Sequence, residues 1–271
     1  MKVAAALARA LPPLVFASLA LAPLLWCIYA SLVPDAALFD ATAAVDLSTQ
    51  SYATVLFERA FARAIVSSLV VALMTTCLAL ALAAPCAYAL ARLEMRGKAL
   101  VLGAVLAVSM FPQVSIVGPL FLVLKSIGLI DTRPGLVLPY VTFALPLAVW
   151  LLVAFFKELP RELEDAARMD GASTLRTLVS IILPLALPGL ATTGIFTFVY
   201  CWNELVFALS FTVSPELRTV PVAITMLRGQ HQVPWNQILA ASSLATLPVA
   251  VLVLVAQRWI VKGLVAGAVK G

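Results

Sequence analysis

The sequence predicts an all-α integral membrane protein with six transmembrane helices, and three observations carry that expectation. Of 271 residues, 63% are hydrophobic and 11% charged, against about 45–50% and about 25% in soluble domains. The mean hydropathy is +1.07, and so few charges cannot cover a water-soluble fold of this length. The charges are also bunched, leaving six uncharged intervals of 23 to 29 residues, each long enough for the roughly 20 residues that cross hydrocarbon. The alternating segments of about 10 residues that mark membrane strands do not occur.

These intervals place the spans in order. Arg9 to Asp35 encloses the first, 11–33; its 25 uncharged residues exceed the apolar core of about 7–15 in a signal peptide, so it reads as a retained helix. Arg63 to Arg92 encloses 64–91, Lys98 to Lys125 encloses 99–124, and Arg133 to Lys157 encloses 135–156. The fifth span is 183–210 and holds one carboxylate, Glu204; the sixth is 238–258. The whole chain, 1–271, reads as a single transmembrane domain. Pro85, Pro112, Pro119, Pro146, Pro188 and Pro248 fall inside spans, where each frees a backbone carbonyl that neighbours must satisfy. Kinked or broken helices are expected there.

Orientation follows from lysine and arginine in the short loops. A cytoplasmic N-terminus puts twelve of them inside and six outside, so both termini are predicted in the cytoplasm. The net charge of +5 is then sidedness, and nucleic acid has no place in the reading. Cys27, Cys77, Cys86 and Cys201 all lie within spans without paired spacing and read as small core residues. His231 stands alone in an outer loop, so no metal site is expected. No G-x-x-x-x-G-K-[ST], H-E-x-x-H or G-x-S-x-G motif occurs. The chain is not expected to be an enzyme, and any energy source must come from a partner or an ion gradient. Two long outer loops, about 33–62 and 212–237, are candidates for contact with something outside the membrane.

The densest charge cluster, 157–180, lies between spans four and five. Pro160 suits a helix first turn, Glu162, Glu164 and Asp165 favour its positive end, and Gly171 is placed to stop it. Spacing puts Leu163, Ala166, Ala167 and Asp170 on one face, a short surface with small side chains that a partner can grip closely. Glu204 is expected to need a partner or a watery cavity, since a charge inside a span costs at least about 2.5 kcal/mol. With Trp202 and Asn203 it offers an aromatic face and polar groups.

Asp165-Ala-Ala-Arg-Met-Asp-Gly171, with Ile181-Ile-Leu-Pro184 following after nine residues, resembles the EAA loop of ABC importer permeases. Asp165 departs from the usual Glu, keeping a carboxylate one methylene shorter. Trp202-Asn-Glu204, Gly128-Leu-Ile-Asp-Thr132, Pro134 to Pro146 and the terminal Gly263 to Gly271 resemble the maltose/trehalose type of that family in particular. Ser67-Ser68 stands where many relatives have Asn-Ser. The resemblance implies the type I ABC importer fold, with a cytoplasmic coupling helix between helices 4 and 5. It implies partners: a second, related permease, two copies of a cytoplasmic ABC ATPase, and an extracytoplasmic sugar-binding protein in the bacterial inner membrane system. No cofactor is expected in this chain, ATP and Mg being held by the ATPase subunits.

On this reading Glu164, Asp165, Ala166, Ala167, Asp170 and Gly171 carry coupling to the ATPase. Trp202, Asn203 and Glu204 line the sugar path, and Arg228, Gly229, Gln230 and His231 form a loop for the binding protein. A side chain at Gly171 is expected to clash or to forbid a positive φ, so that Gly171→Asp uncouples hydrolysis from uptake. Three alternatives stand beside this one. An ABC permease for glycerol phosphate or a polyol is one; a charged cargo such as glycerol phosphate would favour basic residues in the outer halves of the spans, where none occur. An ion-coupled secondary transporter using Glu204 leaves the EAA segment without a reason. An intramembrane enzyme lacks a nucleophile–base or metal constellation.

Overall fold

The computed structural model describes residues 2–40, 46–229 and 233–268, with side chains placed for 11–257 of these. Among the described residues every regular element is helical. The long ones are α1 (Lys2–Leu32), α2 (Phe61–Arg92), α3 (Lys98–Ser109), α4 (Gln113–Ser126) and α5 (Arg133–Glu158). They are followed by the short α6 (Glu162–Met169), then α7 (Thr174–Leu185), α8 (Leu187–Trp202), α9 (Val206–Phe211), α10 (Val220–Thr225) and α11 (Trp235–Ala268). Four helices are long and apolar enough to cross a membrane, or up to six if each of two bent pairs is one span.

Those bent pairs are where the structure departs from the spans expected from charge spacing. The interval 99–124 is interrupted: α3 and α4 meet at 89°. Pro112 lies at the corner in an extended conformation, φ −67° and ψ 119°, with no N–H to continue the helix. The interval 183–210 is interrupted twice. α7 and α8 meet at 79° around Ala186, just before Pro188, and Asn203–Leu205 separates α8 from α9. Pro85, Pro146 and Pro248 leave their helices continuous. An apolar interval reports solubility in hydrocarbon; it does not report whether the backbone turns inside it.

The chain divides into two compact units. The first comprises 1–65 and 223–248. Within it α1 exposes most of its apolar side chains, Phe16 and Trp26 among them, as a lipid-facing or partner-facing helix does. The segment after α1 is tied down by polar contacts. Asp35 accepts from the Asn236 N–H at 2.8 Å, and Ser31 pairs with the Tyr52 hydroxyl at 2.7 Å.

The second unit comprises 66–222 and 249–271. Its core is built from Ala83, Ala87 and Tyr88 of α2, Val149, Leu152 and Phe156 of α5, and Leu178 and Ile182 of α7. Small residues on α2 let α5 and α7 approach closely, the usual basis of packing between membrane helices. α8 packs on α5 at Gly189, where an added Cβ would fall 2.4 Å from the Phe155 ring. Of the four cysteines, Cys201 is buried and Cys77 is exposed, so the core reading does not extend to Cys77.

Candidate functional site

α6 follows directly on α5 and carries the acidic residues Glu162, Glu164 and Asp165 in its first turn, where the unpaired N–H groups favour negative charge. It ends in a Schellman motif: Gly171 donates to the Arg168 carbonyl at 3.0 Å and Ala172 to the Ala167 carbonyl at 2.9 Å. Gly171 has φ +75°, and no neighbouring atom lies within 4 Å of where a Cβ would stand. The expected clash is therefore absent, and the backbone conformation alone selects glycine. Aspartate tolerates that conformation better than most side chains, so a β-branched residue is the sharper probe of this turn.

The helix presents a different face from the one spacing suggested. Glu164 and Ala167, three residues apart, are buried; Leu163 is half-buried; Asp165, Ala166, Arg168, Met169 and Asp170 are exposed. Leu163, Ala166, Ala167 and Asp170 thus do not form one contact surface. Glu164 instead turns inward to Arg92, the last residue of α2, with Nε 3.1 Å from Oε1 and the two side chains 3% and 6% exposed. The pair is held by charge, since these two atoms make no aligned hydrogen bond. The Arg92 guanidinium also donates from Nη2 to the carbonyl of Leu159, which ends α5. Tyr88 lies alongside Glu164 and packs edge-on against Phe156, centroids 6.2 Å apart. One arginine so joins the ends of α2 and α5 to α6. Asp165 and Arg168 form an exposed pair at 3.6 Å of the kind that adds little stability. A cavity of about 410 Å³ opens beside this cluster, lined by Arg92, Arg161, Glu164, Asp165 and Arg168 among others.

Trp202, Asn203 and Glu204 sit at the break between α8 and α9. Trp202 is buried and stacks on Phe198 at 5.8 Å. Glu204 is buried as well, and its carboxylate accepts the N–H groups of Phe207 at 2.9 Å and Ala208 at 3.2 Å. The partner expected for this charge is the start of α9: the helix break frees the N–H groups and the carboxylate satisfies them. Asn203 is the exposed member of the three, donating to the Val199 carbonyl at 2.7 Å.

A second cavity, of about 460 Å³, lies where α3, α4, α5 and α8 meet. Its lining is Ser109, Phe111, Gln113, Phe143, Trp150 and Tyr200, with two leucines. Gln113, the first residue of α4, donates through Nε2 to the Tyr200 hydroxyl at 2.5 Å. Charge spacing and motif matching pass over these residues. The signal that could have found them is a glutamine directly after a proline inside an uncharged interval, a polar side chain set at a corner.

The segments that resembled the family have local structural roles. In Gly128 to Thr132, Asp131 adopts φ +59°. Its carboxylate accepts the N–H groups of Val213 and Ser214, at 2.8 and 2.9 Å, and the Ser214 hydroxyl. The hydroxyl bond, with the two N–H bonds, holds its pKa below the usual aspartate value despite partial burial. Thr132 caps α5 by accepting from the Gly135 N–H at 3.1 Å. Ser67 and Ser68 are buried; Ser67 donates to the Leu217 carbonyl and Ser68 accepts from the Val220 N–H, fixing the loop before α10. Arg228 and Gly229 are exposed after α10, while Gln230 and His231 lie outside the described residues.

Comparison with known proteins gives this geometry its context. The chain is 46% identical over 255 residues, 93% of each chain, to the trehalose transport system permease protein SugB of Mycobacterium tuberculosis. It is 38% identical to the trehalose/maltose transport system permease protein MalG of Thermococcus litoralis, covering 95% of this chain and 94% of that one. Its fold matches a chain of the bacterial ABC transporter that imports the acidic polysaccharide alginate, with a TM-score of 0.76 at 24% identity over 93% of this chain and 95% of that one. That likeness establishes the type I ABC importer permease architecture for the bent and broken spans described above. Residues 79–265 match the family model of binding-protein-dependent transport system inner membrane components, and the chain belongs to that family.

Proposed function

We propose that this chain is one permease subunit of an ATP-driven importer carrying a trehalose- or maltose-like disaccharide or oligosaccharide across the bacterial inner membrane. Its family supports dependence on an external binding protein, and the names of its relatives support the cargo. On this reading a second, related permease supplies the other half of the path. Two copies of a cytoplasmic ATPase bind ATP with Mg, so the chain itself holds no cofactor and carries out no catalysis. Both termini face the cytoplasm, which puts α6 on the ATPase side and the loop from Arg228 to His231 on the binding-protein side.

The observation that carries the reading is the division of labour on α6. Asp165, Ala166 and Asp170 offer a small, acidic surface for the ATPase to grip, and Gly171 ends the helix squarely beside it. Glu164 and Ala167 face inward, so a push on α6 is delivered through Arg92 to α2 and through Leu159 to α5. The packed side chains of α2, α5 and α7 are too dense to deform locally, so they move as a block, and closure of the ATPases reorients the path.

The test is Gly171→Val in the assembled transporter. A β-branched residue at φ +75° resists the left-handed turn, so the variant is expected to insert normally and to hydrolyse ATP without driving uptake. Sugar uptake at the wild-type rate per ATP would overturn the coupling role.

A further inference from the structure

We propose that the cavity between α3, α4, α5 and α8 is a contact site for an uncharged sugar in transit, with Gln113 and Tyr200 as its hydrogen-bonding pair and Trp150 as its stacking face. The proposal rests on the importer reading above and deepens it by assigning the residues and the class of cargo they accept.

Size and lining point the same way. At about 460 Å³ the cavity falls in the range of about 300–1,000 Å³ typical of small-molecule sites. Aromatic side chains line it on several sides: Phe143 is buried, while Phe111 and Trp150 are 56% and 50% exposed. A sugar ring carries C–H groups on its faces and hydroxyls at its rim, so it needs flat apolar surfaces beside it and donors and acceptors at its edge. Gln113 and Tyr200 supply that edge. Their mutual bond uses one amide N–H and one lone pair of the hydroxyl. The pair retains the tyrosine proton, the amide carbonyl and a second amide N–H. In an apolar span such valences are costly to leave unmet, and both side chains border the cavity.

The lining also says what is not carried. Among the described residues none of the side chains lining this cavity is charged. A phosphate or a uronate entering such a site would lose water without meeting a countercharge, a penalty of several kcal/mol in a low-dielectric setting. An uncharged sugar meets no such barrier. Trp202 and Glu204, by contrast, are buried in stacking and helix capping, so they support the wall of the path without lining this cavity.

The experiment is uptake of trehalose and of maltose by the complete transporter in proteoliposomes with saturating binding protein, for the wild type, Gln113→Leu, Tyr200→Phe and Trp150→Leu. Loss of one hydrogen bond to a sugar is expected to lower uptake about tenfold, and unequally for the two sugars, because their hydroxyls meet Gln113 and Tyr200 differently. A merely structural defect scales both sugars alike, so an equal fall in all three variants overturns the site. Unchanged uptake in all three overturns it as well. Wild-type uptake with unaltered variants removes the site alone; a wild-type assembly that moves no uncharged sugar under ATP removes the importer reading and the site together. A trehalose-to-maltose ratio that shifts in Gln113→Leu and Tyr200→Phe supports the assignment.

Discussion

Arg92 and Glu164 show what a single pair does in this chain. Each is almost fully buried, and they meet at 3.1 Å. Removing one partner of a buried pair leaves an uncompensated charge, a loss of about 3–5 kcal/mol, whereas replacing both with apolar residues is often neutral. Arg92→Gln is therefore expected to lower the thermal midpoint of the purified transporter sharply, and the double variant Arg92→Leu with Glu164→Leu to recover most of it. Equal losses in the single and double variants, read by a thermal shift in detergent, would show that charge pairing is not what holds α6. The burial of Glu164 was not legible in the sequence, where spacing groups Leu163, Ala166, Ala167 and Asp170 and leaves Glu164 among the acids of the first turn. Its partner was hidden too, because nothing local to α6 points to a residue at the far end of α2.

At the scale of elements, close approach between helices decides more than hydrophobicity. α8 lies so near α5 at Gly189 that a methyl group would enter the Phe155 ring. Gly189→Ala is expected to destabilise by about 1–3 kcal/mol through overpacking, and a second change, Phe155→Leu, to return part of that by making room. A thermal midpoint unaffected by Gly189→Ala would mean the helices separate at no cost there. The helices that hold spans two and four, Phe61–Arg92 and Arg133–Glu158, end within three residues of the intervals 64–91 and 135–156. Spans three and five were readable in composition only. The turns at Pro112 and Ala186 and the break at Asn203–Leu205 leave no mark in hydropathy; at the break the freed N–H groups are met locally, by Glu204 capping α9 from three and four residues away. The same limit hid the cavity lined by Gln113 and Tyr200, which exists because α3 and α4 meet at a corner.

For the whole molecule, the proposed cytoplasmic N-terminus rests on basic residues outside the spans, twelve against six in its favour. A fluorescent protein fused after Gly271 is expected to fluoresce in cells and alkaline phosphatase fused there to be inactive, while phosphatase inserted after Arg228 is active. The opposite pattern would reverse the molecule and put α6 out of reach of any cytoplasmic ATPase. Much of the apolar surface of α1 and α11 is exposed, Phe16 and Leu254 included, as suits a chain whose solvent is lipid.

The burial of Glu164 also bears on how such a chain changes over generations. A mutation at either end of the Arg92–Glu164 pair strands a charge, so the route to any other pairing runs through a weakened protein and the two positions are expected to change together. Asp165, one residue along and in water, pairs only with the exposed Arg168, so a change there strands no buried charge. Its carboxylate, one methylene shorter than the glutamate of the motif it resembles, can change length without that cost.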